Sequence, residues 1–396
     1  MKAKTIHGDS PEQIEKGLQE CTADGFAPAL AVVFISVRQD RRAIRELLAS
    51  RGIDIFGATS CGEFVNGHQS KGEIAILLLE VSREDYTILI EDIGGRSIEE
   101  VTEQMSHIVL SQFTNPSMVI CSTGVTPEGE MFDGMTLVER LTTALGPDRT
   151  FFGGMAGDDM TLTGTSVFTA ERDAPHGLVA LVLDADKVAL HGMAITGWKP
   201  LGISRKVTRS RGKLLYTIDD KPAVDMYLKY LGKGEQAGDQ EFNILSELSF
   251  HHPFIVEREA GGDILIKGPI GIDHEEHALV MDMEMKEGEV FWFSMPPDFD
   301  IVQTIIDEAT EVKNSVAADA DALLVFSCAG REPALGPFVT MENEGLATVW
   351  NSPMAGFYTY GEFGRSKSGR QHYHSTACCW VALKELQPEG EITTKT

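Results

Sequence analysis

Apolar residues recur along this chain in two alternating rhythms. Helical spacing follows Ser10-Pro11-Glu12-Gln13, a capping-box pattern with proline at the first helical position. Ser97-Ile98-Glu99-Glu100 is a second such start. Ile98, Val101, Met105, Ile108 and Val109 then share one face until Pro116 stops the helix. A third helix is predicted from about Asp300, with Ile301, Ile305, Ala309 and Val312 aligned. Between the helices lie short β-branched runs at 29–37, 53–59, 73–81, 118–122, 178–183, 263–267, 290–294, 322–327 and 377–383. Several are apolar almost throughout, which implies strands covered on both faces. The pattern predicts an α/β protein with mixed β-sheets layered with helices.

The pattern also repeats. The frame GxxxxGEF occurs from Gly57 to Phe64 and again from Gly356 to Phe363, each time after an apolar run. Phe152-Gly153-Gly154-Met155-Ala156-Gly157-Asp158-Asp159 is a looser third version that also ends in Gly-acid. A helix followed by a strand ending Ser122-Thr123-Gly124 corresponds to another ending Cys328-Ala329-Gly330. These matches predict two pseudo-duplicated halves, 1–195 and 196–396, joined around 190–220. The polar tail from about Gln387 is expected to fray.

Composition narrows the partners. The 396 residues are 42% hydrophobic, enough for a large core and for two or three domain-sized units. A net charge of −26 disfavours nucleic acid and anionic membrane surfaces. The N-terminal ten residues are polar, and no apolar run is long enough to span a bilayer. The six cysteines are scattered without a CxxC pair, as in reduced cytoplasmic proteins.

Candidate chemistry clusters where apolar runs end. A strand followed by glycines and an acid lets the backbone approach a ligand and places a carboxylate beside it. Ser60, Cys61 and Glu63, then Asp158, then Tyr358 and Glu362 belong to such turns. Turn N–H groups suit a carboxylate and the acids suit a cation, so one ligand bearing both charges would be an amino acid. The competing reading is simply tight turns that need positive φ. Phe326-Ser327-Cys328-Ala329-Gly330-Arg331 also ends a strand, where α/β sheets place ligands. Arg331 could clamp a carboxylate, and Cys328 could be a nucleophile if a histidine lowered its pKa. The alternative is a small buried thiol and a solvated arginine. His372 and His374 would face one side of a strand, as a pocket-lining pair or, with Glu362 or Cys328, as part of a metal site. His251-His252 has no supporting motif and reads as loop. No phosphate loop, dinucleotide fingerprint, GxSxG or HExxH set is present, so no cofactor is expected.

At these residues the chain resembles the FIST family. The stretches that carry the likeness are Ile55 to Glu63, Phe152 to Asp158, Lys221 to Leu228 after Tyr216 to Asp219, Phe326 to Arg331, Gly356 to Glu362, and His372 to Thr376. They keep order and spacing over roughly 25–385. The resemblance implies an N-terminal FIST domain over 1–195 and a C-terminal one over 196–396. It also implies a sensory role in signal transduction, with a small molecule such as an amino acid as ligand. Members often precede output domains. This chain leaves no room for one, so it is expected to signal through a separate protein. Binding is therefore expected rather than turnover, with a cysteine hydrolase or acyltransferase using Cys328 and His372 or His374 as the alternative.

Overall fold

The helix starts form as their sequences dictate. Ser97 accepts the Glu100 N–H at 3.2 Å while the Glu100 carboxylate accepts the Ser97 N–H at 2.9 Å, and the helix Ile98–Gln112 follows. Ser10 caps Pro11–Thr22, but Gln13 answers the Asp9 N–H instead of its own cap. The third predicted helix is Asp300–Val316. Each predicted strand is present in the computed structural model, which describes residues 1–258, 263–298, 300–316 and 319–386. The tail expected to fray lies outside the described residues.

The strands assemble into a repeat with one copy more than the duplication expected from the sequence. The first unit runs Lys2–Gly8, helix, Leu30–Ile35, helix, Asp54–Thr59, a small hairpin, and Ile74–Glu80. The second runs the same way through Tyr86–Asp92, Pro116–Ser122, Phe151–Met155, a hairpin and Gly177–Asp184. The third uses Val188–Ile195, Ala322–Cys328, Met354–Thr359, a hairpin and Cys378–Glu385. In all three the strand order is first, last, second, third. The two central strands are parallel in each unit and the last runs antiparallel to them. The first half thus contains two units and the first strand of the third, Val188–Ile195, and the second half contains the rest of the third unit with its insert.

The hairpins do not stay at home. Glu63–Val65 and His68–Ser70 of the first unit extend the sheet of the third. Val167–Phe168 and Asp173–Ala174 of the second extend the first. Glu362–Arg365 and Gln371–His374 of the third extend the second. The exchange is therefore cyclic.

One core is shared by the inner faces of all three sheets, with Phe34, Phe326 and Phe357 in mutual ring contact and Phe152, Val179 and Leu181 beside them. Each outer face is covered by helices: Ile14 and Ile44 over the first sheet, Val101 and Leu141 over the second, Ile305 and Leu346 over the third. That is why the central strands read as unbroken apolar runs.

The third unit is interrupted after its first strand by a sheet of its own, drawn from strands between Lys199–Arg211 and Val290–Met295. The insert's core residues Tyr227, Phe254 and Phe291 belong to the same apolar cluster as the second unit's helices.

Candidate functional site

The three glycine-rich turns meet at the centre of the repeat. Gly157 and Asp159 donate to the carbonyls of Thr59 and Ser60 at 2.9 and 3.0 Å. Cys61 donates to Tyr358 O at 3.0 Å, and Tyr358 returns a bond to Gly62 O at 2.9 Å. Met155 donates to Gly361 O at 2.7 Å, and Tyr360 to Met155 O at 3.1 Å. Each turn is thus tied to both others. Close approach is the reason for the glycines: Gly153 has φ +152°, and a Cβ there would overlap the Ile120 carbonyl.

The acids in these turns are latches. Glu63 accepts from the Ser60 hydroxyl three residues earlier and from the Glu73 N–H at 3.0 Å, just before the unit's last strand. Glu362 repeats this, with Oε1 2.6 Å from the Thr359 hydroxyl oxygen and the Ala377 N–H donating to Oε2 at 2.9 Å. Both are fully buried, and burial pushes their carboxyls up to about 7 and about 8 respectively. Asp158 differs. It gathers the N–H groups of Leu162, Thr163 and Gly164 at 3.1, 2.7 and 3.0 Å and accepts from the Tyr360 hydroxyl.

Arg331 is wholly buried, and its guanidinium is filled from within the protein. It forms a two-pronged pair with Glu342, with Nε 3.1 Å from Oε2, and donates to the carbonyls of Thr196 and Thr376 at 2.6 and 2.8 Å. It also lies over the Trp198 ring. His372 bonds to Asp263 at 3.0 Å, and His374 to the Gly364 carbonyl at 3.2 Å with its pKa lowered to about 3 by burial. Neither of these bonds reaches Cys328. That thiol faces Glu362, and burial holds it well above the ordinary thiol range. The Tyr358 hydroxyl turns away to Gln69 at 3.1 Å, and Cys61 is packed under Gly157 with its thiol raised to about 11.

A cavity of about 630 Å³ opens beside this centre. It lies at the carboxyl ends of Pro116–Ser122, Ala322–Cys328 and Met354–Thr359, and the insert forms its roof. Of the residues named from the sequence as candidate ligand contacts, only Cys328 lines it. The others stand behind its wall, in the turns that shape it. The wall itself uses their neighbours Thr359, Tyr360, Tyr373 and Thr376. The apolar lining comes from Met131, Met135, Met283, Phe132 and Phe250. Methionines fill irregular space and adapt to differing ligand shapes.

Asp282 is the polar feature that the sequence reading missed. It sits on the cavity wall, accepts the Gly268 N–H at 2.9 Å, and is pushed up to about 7 by burial. Lys213, also on the wall, acts on Asp282 from nearby, and the Asp282 charge in turn is felt by the buried Tyr373 hydroxyl. A cavity of this size, apolar with few polar groups and a perturbed carboxyl, has the anatomy of a small-molecule site.

The comparisons agree with this architecture. Residues 29–221 match the FIST N domain and 223–365 the FIST C domain. No curated protein matches the chain. Among the described residues no helix is long and apolar enough to cross a membrane. The two matched segments together cover most of the sequence, including the three turns and the insert, and the chain belongs to the FIST family of sensory domains of signal transduction.

Proposed function

We propose that this chain is a sensor whose ligand, an amino acid with a large apolar side chain or a molecule of like chemistry, binds in the roofed cavity. The observation that carries this reading is the cavity's composition. It joins a methionine and aromatic lining to a half-buried acid, Asp282, with Lys213 near it. Asp282 would hold the ammonium group, Lys213 the carboxylate, and Met131, Met135 and Phe250 the apolar body. The roof and the floor belong to different parts of the chain, so ligand contact to both would fix the insert against the second and third units. That rearrangement would be read by a separate signalling protein. All six cysteines are free thiols, in keeping with a reducing cytoplasmic setting.

Hydrolysis through Cys328 gains no support from a protonated thiol whose two candidate bases bond elsewhere.

A thermal-shift screen of the amino acids tests the reading. Large apolar amino acids are expected to raise the melting temperature by mass action, and Asp282→Asn to abolish the rise. The pH dependence has a defined sign. Asp282 must ionise to pair with an ammonium, and its carboxyl titrates at about 7. Affinity should therefore fall about tenfold for each pH unit below that value and level off above it. Flat melting curves with every amino acid at millimolar concentration, or shifts that survive Asp282→Asn, would remove the reading.

A further inference from the structure

The sequence placed possible metal chemistry on His372, His374 and Glu362, each of which bonds to a group inside the protein. A different trio is arranged to bind. His7, His68 and Glu73 each offer a ligand atom, and these atoms all lie within 4.8 Å of one another. His7 Nδ1 stands 3.5 Å and His68 Nε2 2.9 Å from the same carboxylate oxygen of Glu73. The two imidazoles stack, with centroids 4.2 Å apart and planes 28° from parallel. Donors around a tetrahedral ion with bonds near 2.1 Å are separated by about 3.4 Å, between the two distances seen.

The fold explains the convergence. His7 is paired with Ala75 in the antiparallel ladder, and Glu73, two residues before Ala75, lies diagonally across from it on the same face. Thr5 shares that face with His7. The hairpin tip residue Asn66 donates to the Thr5 hydroxyl at 3.0 Å, which lays His68 over the same surface. The Ser70 hydroxyl, which donates to the Glu63 carbonyl at 3.4 Å, also stands near the Glu73 carboxylate, where outer partners of metal ligands sit. The imidazoles and the carboxylate are partly open to solvent, which leaves room for water in the remaining coordination positions.

We propose that His7, His68 and Glu73 form a binding site for a divalent transition-metal ion, zinc being the type species. The position gives it a role. His7 and Glu73 belong to the first unit's own sheet, whereas His68 belongs to the hairpin that this unit lends to the third. The Glu73 N–H is in turn the one held by Glu63 in the central turn. An ion here pins the lent hairpin to its parent sheet.

The test uses tag-free full-length protein stripped with a chelator, titrated calorimetrically with zinc chloride and followed spectroscopically with cobalt(II). One equivalent is expected to bind, cobalt to give the intense visible bands of a tetrahedral site, and zinc to raise the melting temperature. His68→Ala and Glu73→Gln should each weaken zinc binding more than tenfold. Both change partly exposed side chains and leave the Glu73 N–H in place, so an unaltered circular dichroism spectrum is expected. His372→Ala should leave binding unchanged. Absence of saturable binding to the unmodified protein would overturn the proposal. So would an equivalent that persists in both His68→Ala and Glu73→Gln, since the ion would then lie elsewhere.

Discussion

Replacing Arg331 with methionine should destabilise the protein by about 3–5 kcal/mol, because it leaves the buried Glu342 without its partner. Glu342 is 1% exposed, and Arg331 is its two-pronged partner. Loss of the guanidinium also strips two buried carbonyls, Thr196 O and Thr376 O, of their donors. Those carbonyls flank the entry to the insert and the last strand of the third unit, so one side chain fastens both to the helix Phe338–Trp350. Urea unfolding of the single variant and of Arg331→Met combined with Glu342→Leu would separate the contributions. The double variant should recover part of the loss, since a matched apolar pair avoids an uncompensated charge. Equal stability of Arg331→Met and the parent would show that the buried pair does not hold the third unit together.

Glu362→Gln should remove a pH dependence that the parent protein displays. Glu362 has an ordinary carboxyl range when the chain is unfolded, near 4.5, and titrates at about 8 when folded. Between those values the folded state holds a proton that the unfolded state has released. Stability from this group is therefore complete below 4.5, declines as pH rises toward 8, and is constant above it. The decline is about 1.4 kcal/mol per pH unit, on the order of 5 kcal/mol across the window. The hydrogen bonds agree with a protonated acid. Thr359 has one hydroxyl hydrogen, yet its oxygen lies 2.6 Å from Glu362 Oε1 and 3.1 Å from the Ser327 carbonyl. If Glu362 donates to Thr359, the Thr359 hydrogen is free for Ser327. Glutamine reproduces that pattern, its amide donating to Thr359 and its oxygen accepting from Ala377. Urea midpoints between pH 5.5 and 8.5 should fall in the parent and fall less steeply in the variant. Glu63, raised to about 7 by the same burial, supplies a slope common to both. Parallel profiles would show that Glu362 is already ionised at neutral pH.

What the sequence disclosed about the site is explained by the two-residue period of a strand. The motifs at 326–331, 356–361 and 372–376 do border the cavity. Within them, however, successive side chains point to opposite faces. His372 and His374 drew attention through their chemistry, yet Tyr373 between them lines the cavity. Tyr358 likewise faces the first unit's hairpin while Thr359 and Tyr360 face the cavity. Nothing local to these segments says which face will be the open one. The roof was harder still to read. Ser249, Phe250, Gly268 and Asp282 come from a short helix end, turns and loops with no shared spacing, and only the folding of the insert unites them.

The layers were legible because the central strands are buried on both faces and the helix caps are explicit. Other elements gave weaker signals. Lys199–Arg211 is a 13-residue strand with one buried residue, so it lacks apolar alternation. Phe338–Trp350 buries Glu342 and Asn343, which interrupts the apolar stripe expected of a helix. The second unit was visible only as a looser glycine turn, since its acid, Asp158, latches a loop in place of the final strand.

The cyclic loan of hairpins has a consequence for synthesis on the ribosome. When the first two units have emerged, Phe151–Met155 still lacks the neighbour that Glu362–Arg365 will supply, and the arm Glu63–Val65 has no host. An unpaired strand edge of that kind invites pairing between chains. A fragment ending after Gly177–Asp184 should therefore associate or precipitate, although it contains two whole repeats. Completion waits on Glu362–Arg365, and the nascent protein is most exposed to its own copies before that strand is made.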